Sequence, residues 1–185
     1  MYFEFSDFYK RDIYFKYNDD KNNISQYDFE EGIKIETLDV LLYNIDKIDS
    51  YIESYDLLPT FGPPLVSEKF KRLFADIEGI ELDFLTTQIV DNKGIEVNSF
   101  FALNILKKIP CLDKKRSVTE KTSYGTLKIK KLFILPNALG SKNIVRMAEH
   151  ESYIIVTEEF KKRCDEARLK GINFIEEGHS IYTDV

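Results

Sequence analysis

One seven-residue segment occurs twice in this chain. Val66-Ser67-Glu68-Lys69-Phe70-Lys71-Arg72 returns as Val156-Thr157-Glu158-Glu159-Phe160-Lys161-Lys162, and each copy continues to a Gly-Ile pair, at Gly79 and at Gly171. A hydroxyl residue followed by an acid is typical of a helix start, because its oxygen accepts a backbone N–H and the helix dipole favours negative charge. Glycine can adopt the left-handed conformation that ends a helix. The repeat therefore predicts two helices, capped by Ser67 and Thr157 and ended by the glycines, each leading into a strand.

Strand patterns surround these two helices. Ile80–Val90, Ile95–Leu106 and Leu127–Leu135 are rich in the β-branched, leucine and aromatic residues that suit strands. Strands thus follow one another along the chain, with helices inserted between them. This order predicts an α+β fold, in which the helices pack on one face of a mostly antiparallel sheet and form two similar capped helix-Gly-strand units.

The predicted domain boundary is the segment Pro59-Thr60-Phe61-Gly62-Pro63-Pro64, which no helix can cross. Residues 1–58 are predicted to form an acidic N-terminal segment of strands plus an amphipathic helix, packed on a main domain of residues 59–185. The charge distribution follows the same division. Residues 1–60 carry 14 acidic and 6 basic side chains, a net charge of −8, whereas the remaining residues carry a net charge of +2.

The apolar spacing within the acidic segment predicts a helix from Leu38 to Leu58. A strand at Val40–Ile45 followed by a shorter helix is the alternative. On the long helix, four acids form a stripe beside two tyrosines, and tyrosine is enriched at protein interfaces. A solvated helix face would show the same acidic pattern. The predicted partner-binding residues are Asp46, Asp49, Tyr51, Glu53, Tyr55 and Asp56.

The sequence predicts no catalytic site, no metal and no cofactor. It contains no glycine-rich phosphate loop, no Gly-x-Ser-x-Gly segment and no His-Glu-x-x-His segment. Its two cysteines and two histidines do not have the spacing of metal ligands. Cys111, Asp113 and His150 would make a thiol nucleophile set only if the fold brought them together.

Composition also bears on location and on the class of partner. The chain shows no secretory leader and no run of about 18 apolar residues, so a cytoplasmic location without a membrane partner is expected. Nucleic-acid binders are usually basic, and this chain has a net charge of −6, so no nucleic acid is expected. The acidic front half suits a basic protein partner. The sequence does not specify an oligomeric state.

Several segments together resemble a known family. They are Gly62-Pro63-Pro64-Leu65-Val66-Ser67-Glu68-Lys69-Phe70, Ala102–Leu106 with Cys111-Leu112-Asp113, Ile144–Glu149, and Tyr153–Glu158. This pattern is similar to immunity protein family 11 of bacterial polymorphic toxin systems, over Pro59 to Ile175, and residues 1–58 have no counterpart in it.

The resemblance implies a cytoplasmic antidote that binds and neutralises a cognate toxin domain, with no catalytic residues. The toxin would be secreted by the producing cell, and the antidote would protect that cell or its kin. A small enzyme that uses Asp and Glu carboxylates and a generic adaptor domain are the alternative functions.

Overall fold

The fold of the chain is mostly β. The computed structural model describes residues 1–9, 13–123, 125 and 127–179. The end of the predicted main domain, residues 180–185, lies outside the described residues. Within the described part, 38% of the residues are in strands and 15% are helical, and the larger sheet is curved and nearly closed. The prediction of an α+β fold with helices packed on one face of a sheet is therefore wrong.

The described residues form fifteen strands and two α-helices. The strands are β1 Tyr2–Asp7, β2 Phe15–Tyr17, β3 Leu41–Ile45, β4 Leu57–Leu58, β5 Thr60–Phe61, β6 Leu65–Ser67, β7 Leu82–Asp91, β8 Glu96–Val97, β9 Phe100–Ile105, β10 Lys108–Ile109, β11 Val118–Lys121, β12 Leu127–Lys131, β13 Ile144–Met147, β14 Ile154–Thr157 and β15 Ile172–Glu176. The helices are α1 Glu68–Leu73 and α2 Glu158–Glu166, with short 3-10 turns at Gln26–Glu30, Ile52–Ser54 and Ala75–Ile77.

Two sheets and one separate strand pair make up the β structure. The smaller sheet has the strand order β10-β13-β14-β1-β15, and the larger has the order β4-β6-β9-β7-β3-β2-β5 with β8 added beside β7. The strands β11 and β12 pair with each other. Among the described pairings only β10 with β13, β2 with β5 and β3 with β7 are parallel.

Three hydrophobic clusters explain why helices cover so little of these sheets. The central cluster lies between the two sheets and contains Phe70 and Phe160 from the helices and Phe74, which follows α1. A second cluster fills the concave side of the larger sheet, and a third covers the other face of the smaller sheet. The buried residues of both helices therefore all belong to the central cluster.

The predicted helix caps are confirmed. The Ser67 hydroxyl accepts a hydrogen bond from the Phe70 backbone N–H at 3.2 Å, and the Thr157 hydroxyl accepts one from Phe160 at 3.3 Å. These bonds satisfy donors that the first turn of a helix leaves unpaired. Each helix directly follows a short strand, β6 or β14, so the repeated sequence forms a repeated strand-helix unit.

The predicted helix ends are wrong. The helix α1 ends at Leu73 and α2 ends at Glu166, well before Gly79 and Gly171. The residue in the left-handed conformation after α2 is Arg168, with a φ of 54°. Both glycines do have positive φ, but they lie in the turns that lead into the next strands, β7 and β15.

The predicted helix from Leu38 to Leu58 is also wrong. This segment forms β3, the 3-10 turn Ile52–Ser54 and β4. Leu41, Tyr43 and Ile45 are buried and alternate with more exposed residues, which is the period of a strand. The alternative of a strand at this position is therefore correct, although only a single 3-10 turn follows it.

The N-terminal segment supplies strands to both sheets. The strand β1 lies between β14 and β15, and β3 pairs with β7. The division into an N-terminal segment of residues 1–58 and a main domain of residues 59–185 stays a prediction. The pairings describe how the two parts contact each other.

Candidate functional site

The six predicted partner-binding residues do not share one face, because they do not lie on a helix. Asp46, Tyr51 and Glu53 are exposed and belong to the segment between β3 and β4. Asp49 is partly buried, and its carboxylate accepts a hydrogen bond from the Tyr51 backbone N–H at 2.8 Å. These four residues are near the surface of one loop.

The other two predicted residues have internal contacts. Asp56 is 8% exposed, and its carboxylate accepts hydrogen bonds from the Ser67 hydroxyl at 2.6 Å and from the Lys170 backbone N–H at 2.8 Å. The ring of Tyr55 lies 4.4 Å from that of Tyr9. Asp56 thus ties the first helix cap to the loop before β15, and it is buried whereas Asp46, Tyr51 and Glu53 are exposed.

A groove next to this loop carries two exposed aromatic rings. Tyr14 and Phe61 stack at a centroid distance of 4.5 Å and an interplanar angle of 26°, although their side chains are 42% and 57% exposed. They line a cavity of about 500 Å³ together with Asp46 and Asp49. Phe61 belongs to β5, the edge strand of the larger sheet. We call this surface the aromatic groove.

The charges around the aromatic groove are mixed. Lys16 and Lys47 line it along with Asp46 and Asp49. The groove itself therefore carries balanced formal charge, and the acidic excess of the N-terminal segment lies mostly outside it. An apolar aromatic centre with a charged border is the usual composition of a protein-binding surface.

A second cavity lies between the two sheets. Its volume is about 310 Å³, and its walls include Asp7, Glu30, Phe61 and Arg146. Arg146 is 4% exposed, and its Nε is buried without a hydrogen-bond partner. We call this space the Arg146 cavity. Phe61 lines both this cavity and the aromatic groove, so the two are neighbours across β5.

The two cysteines are not suited to nucleophilic chemistry. Burial raises the pKa of the Cys111 thiol to about 12, with a smaller contribution from the nearby Glu149 carboxylate. Burial likewise raises the pKa of Cys164 to about 12. Since the thiolate is the reactive form, both side chains are inert at neutral pH.

The remaining members of the possible thiol set are engaged elsewhere. The Asp113 carboxylate accepts a hydrogen bond from Arg116 Nε at 2.7 Å, which lowers the pKa of Asp113. His150 Nδ1 lies 2.8 Å from the Ser152 hydroxyl, and its ring contacts Tyr153 edge-on. The residue types that a thiol enzyme needs are present, but their contacts do not activate the thiol.

Metal-binding clusters and membrane-spanning helices are both absent from the described residues. Among them, no group of three or more His, Cys, Asp or Glu side chains could hold a metal ion. The same part of the chain contains no helix of the length and apolarity needed to cross a membrane.

Three residues that line these two cavities had no predicted functional role. Tyr14 directly precedes β2, and Phe61 stands within the proline-rich segment Pro59–Pro64, so neither belongs to a motif. Arg146 interrupts the apolar strand β13, and a lone charged residue in such a strand was the available signal. That signal indicates a buried polar contact, but it does not indicate an adjoining cavity.

Comparison with known proteins places the chain in a family. A search of curated proteins found no match. The model of an immunity protein family, Imm11, matches residues 36–179. That range contains both capped helices, Phe61 and Arg146, and it also includes residues 36–58, for which sequence reasoning found no counterpart. Because the match covers most of the chain, the protein belongs to the immunity protein family Imm11.

Proposed function

We propose that this chain is a cytoplasmic immunity protein that binds a cognate toxin domain and neutralises it by stoichiometric contact. Membership of the Imm11 family supports a role in toxin immunity. The inert thiols and the engaged Asp113 and His150 side chains favour binding over catalysis. Occlusion of the toxin's active cleft is the mechanism that this reading implies.

We place the centre of the contact at the aromatic groove. The observation that carries this assignment is the stacked pair of Tyr14 and Phe61, which remains exposed at the edge of the larger sheet. Large aromatic side chains in a partly enclosed groove supply most of the binding free energy at many interfaces. Asp46 and Asp49, from the predicted site, would lie at the border of this contact.

The predicted acidic residues then have different roles. Glu53 and Tyr51 are exposed on the same loop and would contact the toxin outside the groove. The net charge of −8 in residues 1–60 would attract a basic toxin domain from a distance and increase the association rate. Asp56 would act only by holding the fold together.

The first experiment measures stoichiometry. A toxin domain is sought in the neighbouring reading frames and purified, and its activity is titrated with the immunity protein. A stoichiometric binder should abolish the activity at a fixed equivalence point that does not change with incubation time. If the toxin goes on losing activity when the immunity protein is present at much less than one molecule per toxin molecule, the chain is an enzyme. If the toxin's activity does not change at any ratio, the chain is an adaptor domain.

The second experiment tests the groove. The double variant Tyr14→Ala and Phe61→Ala should weaken toxin binding at least about tenfold, because truncation of a hot-spot aromatic commonly costs 2 kcal/mol or more. Ile80→Ala is the matched control, because Ile80 is 61% exposed and precedes the opposite end of β7. Equal affinities of the double variant and the control would place the contact elsewhere.

The third experiment tests long-range attraction. Reversing Asp46 and Glu53 to Lys should slow association several-fold at low salt, and the difference should shrink as salt is added. Glu166→Lys, at the exposed end of α2, is the control for charge reversal at a distance. If wild type and the Asp46 and Glu53 double variant associate with the toxin at the same rate at every salt concentration, these acids are excluded as steering groups.

A further inference from the structure

The guanidinium of Arg146 lacks hydrogen-bond acceptors that its burial requires. Arg146 lies on β13, opposite Ile154 of β14 and Lys108 of β10, with only 4% of its surface exposed. Its Nη1 donates to the Glu151 carbonyl oxygen, whereas its Nε is fully buried and has no partner. A buried charged donor without an acceptor costs considerable free energy, so native proteins rarely leave one unfilled without a reason.

The space beside this side chain is large enough for a ligand group. The Arg146 cavity has a volume of about 310 Å³. Register places Phe5 of β1 and Ile154 of β14 on the same face of the smaller sheet as Arg146. The opposite wall comes from the segment around Phe61 and from the 3-10 turn that contains Glu30. The unfilled donor therefore belongs to a side chain that lines an open cavity.

The charges around the cavity select the kind of ligand. Besides Arg146, its lining includes the acidic residues Glu4, Asp7 and Glu30, and Glu30 and Glu151 both act on the guanidinium by charge attraction. Burial raises the pKa of Asp7, although part of its side chain stays exposed. An anionic ligand would satisfy the guanidinium but would be repelled by these carboxylates. A cationic ligand would suit the carboxylates but would leave Nε without an acceptor.

An amide satisfies both requirements without adding charge. Its carbonyl oxygen accepts from a guanidinium N–H, and its N–H groups donate to carboxylates. We propose that the Arg146 cavity binds an amide group of the toxin domain, supplied by an Asn or Gln side chain or by an exposed peptide bond. This inference rests on the proposed function, since Phe61 places the cavity beside the groove on which the toxin would dock.

The test uses small probes, so that its result does not depend on the toxin. The full chain, labelled with ¹⁵N, is titrated separately with acetamide, acetate and methylammonium, and the Nε–H signal of Arg146 is followed by NMR. Acetamide should shift this signal saturably at millimolar concentrations and bind more tightly than its isostere acetate and than the smaller cation methylammonium. No saturable shift would mean that water alone fills the cavity, and tighter binding of acetate or methylammonium would overturn the assignment of an amide.

Two variants connect the probe to the proposed residues. Arg146→Lys keeps the charge but removes Nε–H, and it should abolish the acetamide-dependent shifts of the remaining cavity signals. Arg72→Lys, on the exposed side of α1, is the matched control and should leave them unchanged. Glu30→Gln removes one carboxylate and should shift the preference from acetamide towards acetate by about fivefold or more. This variant keeps the proposal falsifiable if Arg146→Lys does not fold.

The toxin affinity of Arg146→Lys then distinguishes a failure of this inference from a failure of the proposed function. If Arg146→Lys binds acetamide poorly and the toxin at least tenfold more weakly, the amide-binding role in the complex is supported. If acetamide binds but Arg146→Lys leaves toxin affinity unchanged, the cavity does not receive a toxin group, and this inference fails while the proposed function stands.

Discussion

At the scale of single residues, the two helix caps look equivalent in sequence but have different surroundings. Besides capping α1, the Ser67 hydroxyl donates to the buried Asp56 carboxylate at 2.6 Å. The Thr157 hydroxyl donates to the Asn143 side chain at 3.3 Å, which is a longer bond to a neutral partner. Hydrogen bonds to charged acceptors are shorter and stronger than neutral ones. The two positions should therefore tolerate the loss of the hydroxyl unequally.

We predict that Ser67→Ala lowers the free energy of unfolding by about 2 kcal/mol and Thr157→Ala by about 1 kcal/mol. The larger cost arises because the first change also removes a partner from a buried carboxylate. Urea denaturation of the two variants beside the wild type measures both values. Equal losses of stability in the two variants would show that the hydrogen bond from Ser67 to Asp56 stabilises the fold no more than the one from Thr157 to Asn143.

A second residue-scale feature is a carboxyl group enclosed by apolar neighbours. Glu4 is on β1, directly across from Ile155 on one side and Ile175 on the other. Its Oε2 is buried without a hydrogen-bond partner. Burial raises the pKa of Glu4 from its usual value of 4.5 to about 7. The folded protein thus favours the protonated form of this side chain.

The sign of the resulting pH dependence follows from this shift. Below about pH 4.5 both the folded and unfolded chains hold the proton, so Glu4 has no effect. As pH rises towards 7, the unfolded chain loses the proton first, and Glu4 then destabilises the fold by up to about 3 kcal/mol. We predict that Glu4→Gln becomes more stable relative to wild type by about this amount between pH 5 and pH 8.

Chemical denaturation at several pH values within this range measures the effect. Glu36→Gln, which removes an exposed carboxylate in the loop before β3, is the control and should follow the wild-type profile. Parallel profiles for wild type and Glu4→Gln would show that the Glu4 carboxyl ionises equally easily in both states.

At the scale of secondary-structure elements, local chemistry could be predicted better than long-range pairing. The caps depend on a few adjacent residues, so Ser67 and Thr157 could be identified from sequence. The segment from Leu38 to Leu58 could not, because an apolar residue at every fourth position fits both a helix and part of a strand. Pairing of β3 with the distant β7 decides between the two, and that contact is not encoded locally.

The candidate site was predictable to a similarly limited extent. Asp46 and Asp49 border the aromatic groove, but the stacking of Tyr14 on Phe61 depends on the parallel pairing of β2 with β5. Those strands are separated by more than forty residues of chain. A surface assembled by such a pairing leaves no continuous motif for sequence reasoning to find.

The end of α2 offers an element-scale prediction. Arg168 adopts a φ of 54°, which is unfavourable for a residue with a Cβ, and the Leu169 backbone N–H closes the helix by donating to the Cys164 carbonyl at 3.0 Å. Arg168→Gly should therefore stabilise the protein by about 1 kcal/mol, since glycine adopts this conformation without steric cost.

Thermal or urea denaturation of this variant measures the change. Arg72→Gly, within α1, is the matched control and should destabilise by about 1 kcal/mol, because glycine is unfavourable inside a helix. A loss of stability in Arg168→Gly would mean that contacts of the Arg168 side chain outweigh its backbone strain.

At the scale of the whole molecule, the central cluster joins the two halves of the repeat. Phe74, which follows α1, stacks on Phe160 of α2 with a centroid distance of 4.2 Å and an angle of 9°. Both rings are fully buried. Arg163 of α2 adds a bridge by donating to the Leu73 carbonyl and to Asp76. The same cluster includes Phe3 and Phe5 from the first strand of the chain.

This arrangement predicts that residues 1–58 unfold together with the rest of the protein. Phe160→Ala should lower stability by about 3–5 kcal/mol, because it leaves a cavity where both sheets and both helices meet.

Hydrogen exchange measured at increasing urea should show peptides from residues 1–58 and from residues 59–179 losing protection at one shared midpoint. The variant should shift both midpoints equally, and Ile80→Ala should shift neither, since exposed substitutions change stability by about 0.5 kcal/mol or less. If only the second group of peptides responds to Phe160→Ala, the N-terminal segment folds as a separate unit, and its strands in the two sheets contribute little to the cooperativity of the whole.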